Sequence, residues 1–240
     1  MAHDVERSES GAPIYIHSPR EREFEPAIGD EQTIECVSSH IRKHVGQPKT
    51  VFHETVSDIV HVDVHWVAPT PDRNYHTLVT SGMSDREMIA PEPSLRFAEL
   101  MICLPPTWPV SQQAFQDERN YWPVRWLKIL ARFPHENETW MFASHTVPNG
   151  DPPKPFAKNT KLCCAMLFLP VLFDEGFHTL EVSAEKTIRF LSLIPLYREE
   201  MDFKLREGFE PLLDRLESQE VTEFLAIDRR NVCKKRWRLF

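Results

Sequence analysis

The chain has 240 residues, 41% of them hydrophobic and 27% charged, which are ordinary values for a globular protein. At this length roughly 70% of the unfolded surface can be buried, so folding needs neither disulfides nor a structural metal. The 28 basic residues are outnumbered by 36 acidic ones, and a net charge of -8 argues against a nucleic-acid binder, while the seven glycines form no G-x-G-x-x-G or G-x-x-x-x-G-K-[ST] loop for a nucleotide.

Residues 1–30 carry seven acidic and three basic side chains with little hydrophobic periodicity, which predicts an extension or a loosely docked arm. No basic segment followed by an apolar one occurs there, so no signal peptide is expected. Ile34, Val37, Ile41 and Val45 then recur at helical spacing and predict a helix over 31–44, ended by Gly46 and Pro48. Strands are predicted over 50–55 and 59–67, the second with Val60, Val62 and Val64 on one face and His61, Asp63 and His65 on the other. Pro69 and Pro71 break it, a strand over 75–80 follows, and Ser81 and Gly82 turn the chain, with a positive φ expected at Gly82.

The run 97–104 predicts a strand in which Glu99 is the lone charge, expected to pair with Arg96 or another base. Pro123 is placed as the start of a helix whose stripe is Trp126, Leu127, Leu130 and Phe133, ending before Pro134. Trp108, Trp122, Trp126 and Trp140 are expected to pack in the core. Further strands are predicted over 140–147, 162–169, 177–182 and 188–194, and helices over 197–206, stopped by Gly208, and over 211–216. Residues 228–240 hold one acid and six bases and read as a solvated basic tail or a docking arm.

Helices before, between and after clustered strands predict an α+β fold in which a mainly antiparallel or mixed central sheet is covered by helices. No repeat or Gly/Ser-rich linker divides the chain, so a single domain is expected over 31–227, flanked by the extension 1–30 and the tail 228–240. The five cysteines form no C-x-x-C pair; Cys163 and Cys164 read as buried reduced thiols, and a cytoplasmic protein is expected. The longest nearly continuous apolar run, residues 163–173, is too short to span a bilayer, so no membrane partner is expected. The sequence specifies no assembly state.

The sharpest constellation is His61-x-Asp63-x-His65, because side chains at i, i+2 and i+4 share one strand face. Two imidazoles and a carboxylate could serve a metal-dependent hydrolase, the enzymatic alternative for this chain. Alternate Cα atoms on a strand lie roughly 7 Å apart, however, so convergence of all three on one ion is awkward. Strand alternation favours a row facing solvent, a loop or a partner, with a hydrogen-bonded cluster as the other non-metal arrangement. Ser81 lies outside a G-x-S-x-G elbow, and His135-Glu136-Asn137-Glu138 lacks the second histidine of H-E-x-x-H. No catalytic residue, metal or cofactor is therefore expected.

The segments HVDVHWVAPTPDRNYHTLVTSGMSDREMIAPE and RFAELMICLPPTWP, followed by YWPVRWLKILARFPHENETW, HTVPNG, PFAKNT and SLIPLYREEMDFKLREG, resemble the suppressor of fused domain family, including its bacterial members. The resemblance spans about residues 30 to 233. It implies an α+β domain that binds proteins, used in animals to sequester a transcription factor in Hedgehog signalling. Members of the wider family resemble immunity proteins that neutralise a toxin by binding it. The chain resembles only the amino-terminal domain of the animal protein, so the Hedgehog role does not transfer. The resemblance implies a non-enzymatic, bacterial immunity-type protein with a protein partner, a basic toxin domain, and with His61, Asp63, His65 and Glu99 as the candidate partner-binding residues.

Overall fold

The computed structural model describes residues 6–17 and 22–234. Two short strands, β1 (Glu6–Arg7) and β2 (Pro13–Ile14), pair as a small antiparallel hairpin. The main sheet has eight strands: β3 (Thr50–Phe52), β4 (Asp63–Val67), β5 (His76–Ser81), β6 (Phe97–Leu104), β7 (Thr146–Pro148), β8 (Cys164–Phe168), β9 (Thr179–Ser183) and β10 (Lys186–Leu196). Their spatial order is β3-β4-β5-β6-β10-β8-β7, with β9 also beside β10. Every pairing is antiparallel except β6 with β10. The sheet is therefore mixed and the fold α+β.

Helices cover both faces of this sheet. Helix α2 (Glu118–Glu136) buries Trp122, Trp126, Leu127 and Leu130 against Val64, Leu78, Leu100, Ile102 and Leu191. On the opposite face α1 (Glu31–His44) buries Val37 and Ile41 with Val67, Val79, Met101, Phe177 and Phe190. Helices α3 (Arg198–Glu207) and α4 (Phe209–Glu217) cover Cys164, Met166, Ile194 and Leu196 through Met201, Phe203, Leu212 and Leu216. Strands buried on two faces read as near-continuous apolar runs, as FAELMICL in β6 does.

Several element ends depart from their predicted places for local reasons. Helix α2 begins at Glu118, capped by Asp117, so that Pro123 lies inside it. The carbonyl of Arg119, which Pro123 cannot serve as a donor, accepts from the Asn159 side chain at 3.2 Å. Strand β4 begins at Asp63 rather than 59 because Ile59 has a φ of 66° and its N–H donates to the carbonyl of Glu25 at 2.9 Å. The strand predicted over 140–147 is reduced to β7, since Ser144 turns the chain with a φ of 73°. Helix α1 and strand β6 occupy the predicted ranges.

Much of the described amino-terminal segment is tied to the body. Asp30 caps α1 by accepting from the Thr33 N–H at 2.6 Å, Arg22 pairs with Asp58 at 2.6 Å, and the Ser10 N–H donates to the Leu205 carbonyl at 3.0 Å. At the other end Arg229, expected in a solvated tail, is largely buried: it pairs with the fully buried Glu200 at 2.5 Å and donates to the Pro195 carbonyl at 2.9 Å. A buried carboxylate needs donors to replace its lost hydration, and at Glu200 a guanidinium is among them. Lys235, Arg236 and Arg238 lie outside the described residues.

Candidate functional site

The predicted polar row does not form as a row. All five residues of β4 are buried, because α1 covers the face that strand alternation assigned to solvent, a loop or a partner. His65 is 1% exposed; its Nε2 lies 2.9 Å from the Ser81 hydroxyl oxygen, away from the other two members. Burial pushes its imidazole down to about 4, with Asp63 opposing. A solvent-facing His65 and Asp63 are thus both corrected, as is a metal-dependent hydrolase built on His61, Asp63 and His65.

In place of His65 the fold brings in His53, which sequence reasoning missed. Strands β3 and β4 pair Phe52 with Val64, so His53, one step beyond, falls beside Asp63. Its Nδ1 lies 2.7 Å from Asp63 Oδ2, and His61 Nε2 lies 3.0 Å from Asp63 Oδ1, which also accepts from the Glu54 N–H at 3.2 Å. Side-chain exposure falls from 70% at His53 through 21% at His61 to 4% at Asp63, so the cluster opens outward from a buried carboxylate. The usable signal was the hairpin register of β3 and β4; the spacing within HVDVH does not contain it.

Behind these three residues lies a second carboxylate, Glu54. Lys128 pairs with it at 3.3 Å and Arg132 forms a second ion pair, both from α2. The Ser57 hydroxyl donates to Glu54 Oε2 at 2.9 Å and lies 2.8 Å from His61 Nδ1. Burial pushes the Glu54 carboxyl up, but the Arg132 hydrogen bond and the charges of Lys128 and Arg132 prevail and hold it below its ordinary value.

Glu99 occupies a different polar knot, 0% exposed. It pairs with neither Arg96, which binds Glu87 at 3.3 Å, nor another base among its hydrogen-bond partners. Instead it accepts from the Thr80 hydroxyl at 2.6 Å, the Gly82 N–H at 2.9 Å, and the Ser84 N–H and hydroxyl at 3.0 and 2.6 Å. Burial raises its carboxyl to about 6, opposed by the bonds from Ser84 and Thr80. The Thr-Ser-Gly-Met turn is thus wrapped around one carboxylate. Gly82 has the expected positive φ, 105°, and a Cβ there would lie 1.7 Å from the His61 carbonyl oxygen. At the exit of β6, Trp108 donates from Nε1 to the Asn120 carbonyl at 3.0 Å and meets Trp122 edge to face.

The five cysteines are free, with Cys103, Cys163 and Cys164 buried. Burial raises the thiols of all three, the opposite of what a reactive nucleophile requires. Among the described residues no helix is long and apolar enough to cross a membrane.

Residues 58–230, well over half of the chain, match the family whose description is Suppressor of fused protein (SUFU). The chain belongs to the suppressor of fused family. Its fold is similar to that of a SUFU homologue from Neisseria gonorrhoeae FA 1090, with a TM-score of 0.64 and 17% identity, covering 86% of this chain and 100% of that one. It is also similar to a chain in the crystal structure of the Sufu-Fu complex, with a TM-score of 0.57 and 13% identity over 87% of this chain and 93% of that one. Drosophila Suppressor of Fused aligns with a TM-score of 0.55 and 12% identity, covering 88% of this chain but 52% of the fly protein. No curated protein matches the chain in sequence. The mixed sheet is thus that of the suppressor of fused fold, and the Glu99 knot gives a physical reason for the Thr-Ser-Gly-Met turn.

Proposed function

We propose that the chain is a non-enzymatic protein-binding domain, and that it works as an immunity-type factor by occupying the surface of a basic toxin domain. Membership of the suppressor of fused family carries this reading, together with the similarity to a chain whose structure is that of the Sufu-Fu complex. The net charge of -8 favours a basic partner, speeding encounter and selecting against acidic competitors. Reduced, buried cysteines fit a cytoplasmic location. Of the four residues expected at an interface, His61 is the one a partner could touch; Asp63, His65 and Glu99 act from behind the surface by holding it in shape. His53, exposed and joined to Asp63, extends that surface along the β3 edge.

Affinity capture from the native host, followed by recombination of the purified pair at low and moderate salt, tests the proposal. The expected result is a stoichiometric complex that weakens as salt rises. Failure of every captured protein to bind in purified form at either salt concentration would overturn it.

A further inference from the structure

Three groups on the β3–β4 hairpin and its loop, His53, His61 and Asp63, each place one potential ligand atom within 4.8 Å of the other two. Two imidazoles and a carboxylate converging from one side form a common donor set for zinc and related divalent transition ions. The geometric objection to the His61-Asp63-His65 row does not apply, because His53 comes from the neighbouring strand and not from two residues along the same one. We propose that His53, His61 and Asp63 form a divalent transition-ion site, with zinc as the natural occupant and a coordination position left open on the exposed side.

Hydrogen-bond accounting picks out the ring nitrogen of His61 that is turned toward the carboxylate. Ser57 has one hydroxyl proton, and it goes to Glu54 Oε2, so toward His61 Nδ1 its oxygen can only accept. The Nδ1 of His61 therefore carries a proton, and Nε2 is the ring nitrogen that faces Asp63 Oδ1 at 3.0 Å. An ion bound between Nε2 and Oδ1 would take a lone pair from each. Ser57 and Glu54 then supply the outer hydrogen bonding that fixes the tautomer and orientation of a ligating histidine. The cations Lys128 and Arg132 on α2 are both engaged by Glu54, which limits their repulsion of an incoming ion.

The fit requires a small rearrangement. Tetrahedral ligands at zinc bond lengths are separated by about 3.3 Å, and the present contacts are 2.7 Å from His53 and 3.0 Å from His61 to Asp63. Widening by about 0.6 Å falls on His53, whose side chain is 70% exposed, and by about 0.3 Å on His61. The ion would tie the end of β3 and the loop before β4 to the buried Asp63, and its open position would face the proposed interface. The site carries no bond-breaking step and stands independently of the identity of any partner.

The test uses the full chain and zinc alone, after chelation and dialysis, with calorimetric titration and elemental analysis. About one zinc per chain is expected, with an X-ray absorption edge fitted by nitrogen and oxygen ligands near 2.0–2.1 Å. His53→Gln should weaken binding at least about tenfold without disturbing the fold, and Asp63→Asn should do the same wherever the variant folds. His44→Gln, which removes a histidine paired with a single carboxylate, Asp174, should leave zinc binding unchanged. Substoichiometric zinc would overturn the proposal. Equal affinity in His53→Gln and the parent would also overturn it.

Discussion

Two buried carboxylates lie at the same end of the sheet, and their surroundings differ in one respect. Glu99 is enclosed by hydroxyl and backbone donors from residues 80–84, all within a single turn. Asp63 is nearly as buried, yet two of its partners are imidazoles, and one of these, His53, reaches solvent. A carboxylate saturated by local donors can only hold a turn in place. One held by histidines that reach the surface can exchange a proton, an ion or a partner while remaining buried itself. The two sites touch, since Gly82 of the Glu99 turn packs on the backbone of His61.

The largest effect should come from breaking that contact. Gly82→Val combines backbone strain of about 1–3 kcal/mol at a positive φ with a Cβ placed 1.7 Å from a carbonyl oxygen. Loss of folding, or destabilisation beyond the strain alone, is expected in urea melts; an unchanged midpoint would remove the turn from the account. Acidification should have the next largest effect. Burial lowers His65, His135 and His145 to about 4, so each takes up a proton on unfolding, and the stability they contribute is present above pH 6.5 and lost as pH falls through 4. Glu99, raised to about 6, acts in the opposite direction, its contribution fading as pH rises through 6, and the raised Asp85 and Glu223 oppose the histidines likewise. Three histidines against one strongly shifted carboxyl give a net loss on the order of 1 kcal/mol or more per pH unit on going from 6.5 to 4.5. A flat stability profile across that range would contradict these burial assignments.

Glu99→Gln sharpens the comparison at its closed end. An amide nitrogen then faces donors where an oxygen accepted, and about 1–3 kcal/mol should be lost. A neutral outcome would mean that water or rotation rescues the knot. The smallest effect is expected at the open end: His53→Gln should change stability by no more than about 0.5 kcal/mol without zinc, because the side chain is mostly exposed. A larger loss would make His53 a structural partner of Asp63 with no role at the surface.

The sequence carried the fold through its strongest patterns. The apolar spacing of α1 and the run of β6 give their boundaries directly, and Gly82 announced its turn. Helix α2 extends past Pro123 because a distant side chain, Asn159, serves the carbonyl that proline leaves without a donor, and no local pattern contains that contact. The candidate site was half legible. His61 and Asp63 stood out by spacing, but alternation assigned their face to solvent, and only the placement of α1 over the sheet reveals that Asp63 and His65 are buried. His53 belongs to the cluster through strand register, which depends on pairing rather than on nearness in the chain. Arg229 showed the same limit, since a basic tail offers no sign of the buried Glu200 that fixes it.

Titration of the proposed toxin partner, captured and purified, with this chain, following residual toxin activity against molar ratio and time, tests the central claim most directly. A binder that acts by occupancy predicts a linear fall that reaches zero at a fixed stoichiometric ratio and does not change on longer incubation. Complete, time-dependent inactivation by a small fraction of an equivalent would show turnover and contradict the account.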